Sequence, residues 1–371
     1  MTHCKRSPRR AAVVALACAL LAPICSSAGE SGLYQQAWRL PLVDDQFISW
    51  KLEERAVPAV HLATRMVFAG SSAGEMVAAD AVSGETIWKF KVGARIASEP
   101  LAEDGVVYFG ADDGGLYALS MYTGKQIWRY QTATLVSARP VIAGGRIFAQ
   151  TRQNQVVALD LKTGKWLWHF QREVPTGFTV ESAAGPAVAE GLVYAGFSDG
   201  YAAAINIEDG SQVWAKKLTK KSQFTDAWGT PVVARDRVYF AMYADGIVCL
   251  DSKKGQELWR VDLPGASAPL VTGDRLTATT ADGEVVSIDV FGKIASRRSL
   301  GGGAFSAPYD AGDGYFAFSA SGGSVYVVKA STMKVAQAIK PGTGVCGRPV
   351  LTPRSLYFVS NRGVLYKYSQ P

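Results

Sequence analysis

Apolar and polar positions recur along this chain with a period of about 40 residues. The frame Ala78-x-Asp80-x-x-Ser83-Gly84-x-x-x-Trp88 returns as Ala118-x-Ser120-x-x-Thr123-Gly124-x-x-x-Trp128, Ala158-x-Asp160-x-x-Thr163-Gly164-x-x-x-Trp168 and Ala204-x-Asn206-x-x-Asp209-Gly210-x-x-x-Trp214. A fifth copy, Cys249-x-Asp251-x-x-Lys254-Gly255-x-x-x-Trp259, keeps the spacing. Ahead of each frame stand two short β-runs, such as Val106-Val107-Tyr108-Phe109 and Leu116-Tyr117-Ala118-Leu119, divided by turn residues. The steps Asp199-Gly200, Asp245-Gly246 and Asp282-Gly283 supply the positive φ that a tight hairpin needs. The Thr-Gly step then turns the chain into a further strand bearing the Trp. The frame weakens at Ser287-x-Asp289, where Gly292 comes one position early and no Trp follows, and at Val328, where both are missing.

Each unit opens after a proline, at Pro58, Pro100, Pro140, Pro186, Pro231, Pro269, Pro308 and Pro349, so that successive units are of nearly equal length. Four strands per unit without helical periodicity predict an all-β chain: an eight-bladed β-propeller of four-stranded antiparallel blades. The recurring Trp is expected to fill the seam between neighbouring blades. After Pro349 only Val350 to Pro371 remain, enough for three strands, so the missing strand must come from the N-terminus. Gln36-Ala37-Trp38-Arg39-Leu40 and Ile48-Ser49-Trp50-Lys51-Leu52 both fit the fourth-strand pattern, and the spacing to Pro58 favours Trp38. Pairing the two ends closes the ring and removes its exposed edges.

The composition, 48% hydrophobic and 19% charged, is that of a folded globular protein. Residues 1–28 carry Lys5, Arg6, Arg9 and Arg10, then an apolar run over 11–24, then Ser26-Ser27-Ala28 before Gly29. That is the order of a secretory signal peptide, and the apolar run is shorter than the roughly 20 residues needed to span a membrane. Residues 29–371 are then expected to form a single propeller domain in the periplasm. The Arg9-Arg10 pair lacks the bulky residues of a twin-arginine signal, and neither Cys18 nor Cys25 lies in a good lipobox, so a lipid anchor is not expected. Without the leader cations the basic side chains barely outnumber the acidic ones, which gives no electrostatic reason to expect a nucleic acid partner. The mature chain keeps only Cys249 and Cys346, too few for a disulfide framework.

Two connections stand out. Trp168 to Pro186 and Trp214 to Pro231 are longer by about half than their counterparts Trp88 to Pro100 and Trp128 to Pro140, and long loops on a rigid scaffold are where function concentrates. Phe178, Val180, Phe224 and Trp228 are expected to form an apolar partner-binding patch there, rimmed by Glu173, Glu181 and Asp226. The competing expectation is that these side chains fold inward over their own blades.

Catalysis finds little footing. The carboxylates mostly occupy turn positions where they satisfy local backbone donors. His61 and His169 fall in different units, which leaves no zinc set and no nucleophile triad. Cys249 takes the place of Ala78, Ala118, Ala158 and Ala204 and is expected to be a small buried residue; Cys346 is expected to pack as well. Lys216-Lys217 and Lys220-Lys221 read as solvated pairs able to steer an acidic partner, and Gly301-Gly302-Gly303 as a flexible connection. No metal and no cofactor are expected.

The Ala-x-Asp-x-x-Thr-Gly-x-x-x-Trp unit resembles the pyrroloquinoline-quinone-type propeller repeat. Within that superfamily the length, the eight units and the leader most resemble the BamB family, propeller components of the outer-membrane β-barrel assembly machinery. Phe178 and Val180 match the apolar positions of the Leu-x-Leu-Arg loop with which that family grips BamA, with Glu181 in place of the arginine. Asp226-Ala227-Trp228-Gly229-Thr230-Pro231 resembles a second contact loop, Asp-x-Asp-Thr-Thr-Pro, with Trp228 in place of the second acid. The resemblance implies a non-catalytic, monomeric periplasmic scaffold, peripheral to the outer membrane, that binds BamA. The alternatives are a propeller serving another envelope complex, a binder of a small ligand in the channel, and a quinone-dependent dehydrogenase. Dehydrogenases of this repeat resemble one another in a Cys-Cys pair that this chain lacks.

Overall fold

The computed structural model describes residues 32–43, 54–175, 184–312 and 314–371; the leader read at 1–28, like Trp50, lies outside them. The described strands group into eight four-stranded antiparallel sheets, and no helix occurs among the described residues. Each inner strand starts at the residue after a recurrent proline: Ala59–His61, Leu101–Glu103, Val141–Ala143, Ala187–Ala189, Val232–Ala234, Leu270–Thr272, Tyr309–Gly312 and Val350–Thr352. Proline has no N–H to give a ladder, so it stands just outside the strand it introduces. Inner strands meet around the hub, as those of blades 1 and 2, of blades 3 to 6 in succession and of blades 7 and 8 do, and that of blade 8 meets that of blade 1. The sheets are therefore the blades of a closed eight-bladed propeller.

Burial follows the position of each strand in its blade. Third strands such as Gly115–Ser120 are buried on both faces between adjacent blades and read as continuous apolar runs. Outer strands such as Gln126–Gln131 alternate between solvent and seam.

The seams explain why Gly and Trp recur as a pair. The Trp of one blade lies on the Thr-Gly turn of the next: a Cβ on Gly124 would sit 2.7 Å from the Trp88 ring, and one on Gly164 2.6 Å from Trp128. The same contact joins Trp38 to Gly84, Trp168 to Gly210, Trp214 to Gly255 and Trp259 to Gly292. Each indole N–H then donates to a carbonyl of that turn, as Trp88 Nε1 does to Met121 O at 2.8 Å and Trp128 Nε1 to Leu161 O at 3.1 Å. The glycine is thus required twice, for its positive φ and for the ring that lies against it. Burying each indole contributes about 1.5–3 kcal/mol.

The weakened units obey the same rule. Blade 6 has Ser296 where the Trp would stand, opposite Ser287, and blade 7 has Met333 at positive φ in its turn, with no indole to exclude a side chain. Arg298 donates across this seam to Met333 O at 3.1 Å. Blade 7 places Gln337 at the Trp position, opposite Val327. It faces no turn, because blade 8 is assembled from the two chain ends, and its amide instead exchanges hydrogen bonds of 2.8 Å with the backbone N–H and C=O of Tyr34.

The ring closes through Gln35–Pro41, which is the outer strand of blade 8 and pairs antiparallel with Val364–Ser369, Trp38 opposite Lys367. The preference for Trp38 is therefore borne out. Past residue 53 the buried Glu54 carboxylate accepts from the N–H groups of Arg55, Ala56 and Ser72, which pins the chain onto blade 1.

Cys249 is fully buried on the third strand of blade 5, opposite Trp259, and burial pushes its thiol up to about 12. Only the thiolate is nucleophilic, and this thiol stays protonated throughout the neutral range. Iodoacetamide at pH 8 is expected to leave Cys249 unmodified in the folded protein and to alkylate it in denaturant, with peptide mass mapping as the readout. Modification of the native protein at the unfolded rate would contradict the burial.

Candidate functional site

Connections from an outer strand to the next inner strand emerge at the end of the ring opposite the Thr-Gly turns, beside the hairpin turns between second and third strands. The two long connections converge on one such turn, residues 197–200 of blade 4.

The first leaves Trp166–Gln171, and Arg172 anchors it at once. Its guanidinium pairs with Asp199 at 2.7 Å and lies 3.8 Å from the centre of the Tyr201 ring. Asn154, in the left-handed conformation, donates to Glu173 O at 2.8 Å, and its side-chain oxygen accepts from Ser198 N at 3.0 Å and Ser198 Oγ at 3.1 Å. Phe178, Val180 and Glu181 lie outside the described residues. The connection resumes at Ala184, and Gly185 N donates to Thr230 Oγ1 at 3.0 Å, which joins the end of the first connection to the end of the second.

The second connection leaves Gln212–Lys217 with Leu218 and Thr219 buried. The Thr219 hydroxyl donates to Asp245 Oδ2 at 2.7 Å and ties the segment to blade 5. Lys220 and Lys221 are exposed. The chain then folds over the turn of blade 4: Thr225 Oγ1 donates to Ser198 O at 2.7 Å, and Ala227 N to Phe197 O at 3.2 Å. Just ahead of these holds Phe224 is kept at φ 54° and is 44% exposed, its ring 6.1 Å from that of Tyr243. A bulky side chain in this backbone region costs about 1–2 kcal/mol, so the surroundings impose the conformation.

Trp228 and Asp226 occupy the same segment but turn inward. Trp228 is half-buried, its ring perpendicular to that of Tyr243 at 5.5 Å, and its indole N–H donates to Ala266 O at 2.7 Å, across to the next connection. Asp226 is 0% exposed and lies beneath the rim it was expected to form, because its backbone carbonyl accepts from Tyr243 N at 3.0 Å and holds the segment against blade 5. Tyr243 thus has both Phe224 and Trp228 against its ring. Tyr201, Tyr243 and Thr225 were not singled out in the sequence; only the blade register reveals them.

Little else is arranged for chemistry. His61 ends the inner strand of blade 1, 2.8 Å from Thr64 Oγ1, and His169 is on the outer strand of blade 3 beside Trp166. Among the described residues no three His, Cys, Asp or Glu side chains come close enough together to hold a metal ion. The hub contains a cavity of about 690 Å³, walled by Val232, Leu270, Tyr309 and Leu351 from the inner strands of blades 5 to 8. At its connection-side mouth Glu99 bridges Arg348 at 2.5 Å and Arg139 at 3.3 Å, and the Arg348 guanidinium lies 4.8 Å from the centre of the Tyr309 ring.

The family model for the outer membrane protein assembly factor BamB matches residues 35–136 and 114–290. Of solved structures, BamB from Moraxella catarrhalis is similar at 21% identity and a TM-score of 0.78, with 91% of this chain and 99% of that one covered. A quinohemoprotein alcohol dehydrogenase from Pseudomonas putida is similar at 14% identity and a TM-score of 0.75, with 91% and 76% covered. The computationally designed Ika8 protein is similar at 15% identity and a TM-score of 0.72, with 86% and 98% covered. Such likenesses establish the propeller fold, which enzymes and non-enzymes share. No curated protein sequence matches the chain significantly.

Proposed function

The chain belongs to the family of the outer membrane protein assembly factor BamB, and from that premise we propose that it is a non-catalytic periplasmic scaffold that binds BamA during assembly of outer-membrane β-barrels. The observation that carries this reading is the shared footing of the two long connections on residues 197–200, which holds the Phe224 ring out on a rigid support. A partner that meets such a surface pays little to order it, and apolar area removed from water supplies the affinity. Phe178, Val180 and Glu181 of the first connection bind the same partner, while Asp226 and Trp228 serve the second connection from below by fixing it. Residues 1–28 direct export and are removed. Lys220 and Lys221, exposed beside Phe224, steer an acidic face of the partner.

The placement of the reactive side chains supports the non-catalytic reading: the described histidines are in separate blades and Cys249 is buried. The hub cavity favours one secondary reading, a small ligand held in the channel. Addition of pyrroloquinoline quinone and calcium distinguishes the quinone-dependent enzyme, since saturable binding with alcohol oxidation would replace the scaffold reading.

Phe178→Ser combined with Phe224→Asn is the direct test, because Asn tolerates the left-handed backbone and removes the ring. Co-purification with the periplasmic part of BamA is expected to fall about tenfold or more, with thermal unfolding unchanged. Undiminished recovery by the folded double variant would overturn the proposal.

A further inference from the structure

The residue just before each recurrent proline stands where a connection enters the hub, and Thr230, Ala268, Ala307 and Arg348 at this position all line the cavity. At blades 4 to 7 the position holds Gly185, Thr230, Ala268 and Ala307, all small and uncharged. At blades 2, 3 and 8 it holds Glu99, Arg139 and Arg348. The one carboxylate lies between the two guanidinium groups, 2.5 Å from Arg348 and 3.3 Å from Arg139. The connection-side mouth is thus lined by small residues beside blades 4 to 7 and keeps a surplus of one positive charge.

Arg348 is the group placed to use that charge. Its guanidinium is held by Glu99 and lies 4.8 Å from the centre of the Tyr309 ring, so its orientation is set before a ligand arrives. Glu99 takes one of its five N–H donors. An incoming carboxylate would accept from others, in a charge-assisted bond that the apolar walls strengthen. Those walls are Val232, Leu270 and Leu351, on inner strands of three residues, about 10 Å deep. The cavity of about 690 Å³ is of the size that takes a small molecule. Asp310 also lines it, its carboxylate accepting from Gly312 N at 2.9 Å toward the other end. A second acidic group on the ligand would be repelled there.

We propose that the hub binds small monocarboxylic acids with an extended apolar body, the carboxylate on Arg348 and the body against the inner strands of blades 5 to 8. This rests on the channel-ligand reading given above and is independent of BamA binding.

The probes are octanoate, octanol and the dicarboxylate suberate, titrated calorimetrically into the full mature chain. Octanoate is expected to bind saturably, and octanol and suberate each about tenfold or more weakly. Arg348→Gln is expected to weaken octanoate about tenfold or more while octanol binding and thermal unfolding stay as they are; a general loss of structure would lower both ligands together. Ala307→Leu narrows the mouth beside Arg348 without changing its charge and is expected to weaken octanoate and octanol alike. Octanol or suberate bound as tightly as octanoate, or octanoate binding untouched by Arg348→Gln, would overturn the proposal while leaving a channel ligand of another class. Binding of octanoate and octanol that Ala307→Leu does not alter, or no binding of any probe, would overturn the proposal and the channel reading together.

Discussion

Gly124→Val is expected to destabilise the whole ring by about 2–5 kcal/mol, read as a lower urea midpoint with the slope unchanged. Two costs add. Gly124 is at φ 68°, where a branched L-residue is strained by about 1–2 kcal/mol or more. Its new Cβ would also lie 2.7 Å from the Trp88 ring, and overpacking a filled seam costs about 1–3 kcal/mol. Trp88 cannot retreat without breaking the 2.8 Å bond from its indole to Met121 O. The seam between blades 6 and 7 supplies the internal comparison: Met333→Gly removes a left-handed non-glycine where no indole lies, and is expected to leave the midpoint unchanged or raise it. A shift below about 1 kcal/mol for Gly124→Val would show that the seam yields more easily than its close packing implies.

Deletion of Gln35–Pro41 is expected to cost on the order of 5 kcal/mol or more and to turn a cooperative unfolding transition into an aggregating one. Six residue pairs join this strand to Val364–Ser369, and a net hydrogen bond is worth about 0.5–1.5 kcal/mol. The deletion also removes Trp38 from its place against Gly84 and from the edge of Tyr357, whose rings are 6.0 Å apart. What remains of blade 8 is a three-stranded sheet with an exposed apolar edge, the form that pairs with other chains. Calorimetry and light scattering during heating check both parts. An unchanged transition would mean that the ring does not depend on closure between its ends.

Much of the fold could be read from the residues because the constraints are local and repeated. Proline before each inner strand, Asp-Gly in the hairpins and Gly paired with a Trp four positions on mark all four strands of a unit. The unit that loses its Trp at Ser296 was legible as decay, but its cause was not, since the compensating residue, Met333, belongs to the next blade. Nor could spacing reveal that Gln337 holds Tyr34, a partner at the far end of the chain and adjacent only once the ring closes.

Of the candidate site, the convergence of the two long connections was legible and the facing of its side chains less so. Connection length singled out the candidate surface at blades 3 to 5, and the described parts of both connections meet each other and the turn of blade 4. Whether a side chain on such a loop faces solvent depends on the turn beneath it, which belongs to another strand. That is why Asp226, an acid in a loop, is buried, and why Trp228 is turned toward Ala266 by its indole N–H while Phe224 remains outside.

The central claim is that BamA engages the connection end of blades 3 to 5, for which the ring is the rigid support. Site-specific photocrosslinking in intact envelopes tests it most directly, with the reactive group placed at Phe224 or, on the opposite end of the ring, at Tyr122, which is also exposed. The account predicts a BamA adduct from position 224 and none from position 122. BamA adducts from position 122 alone, or none from either position, would contradict it.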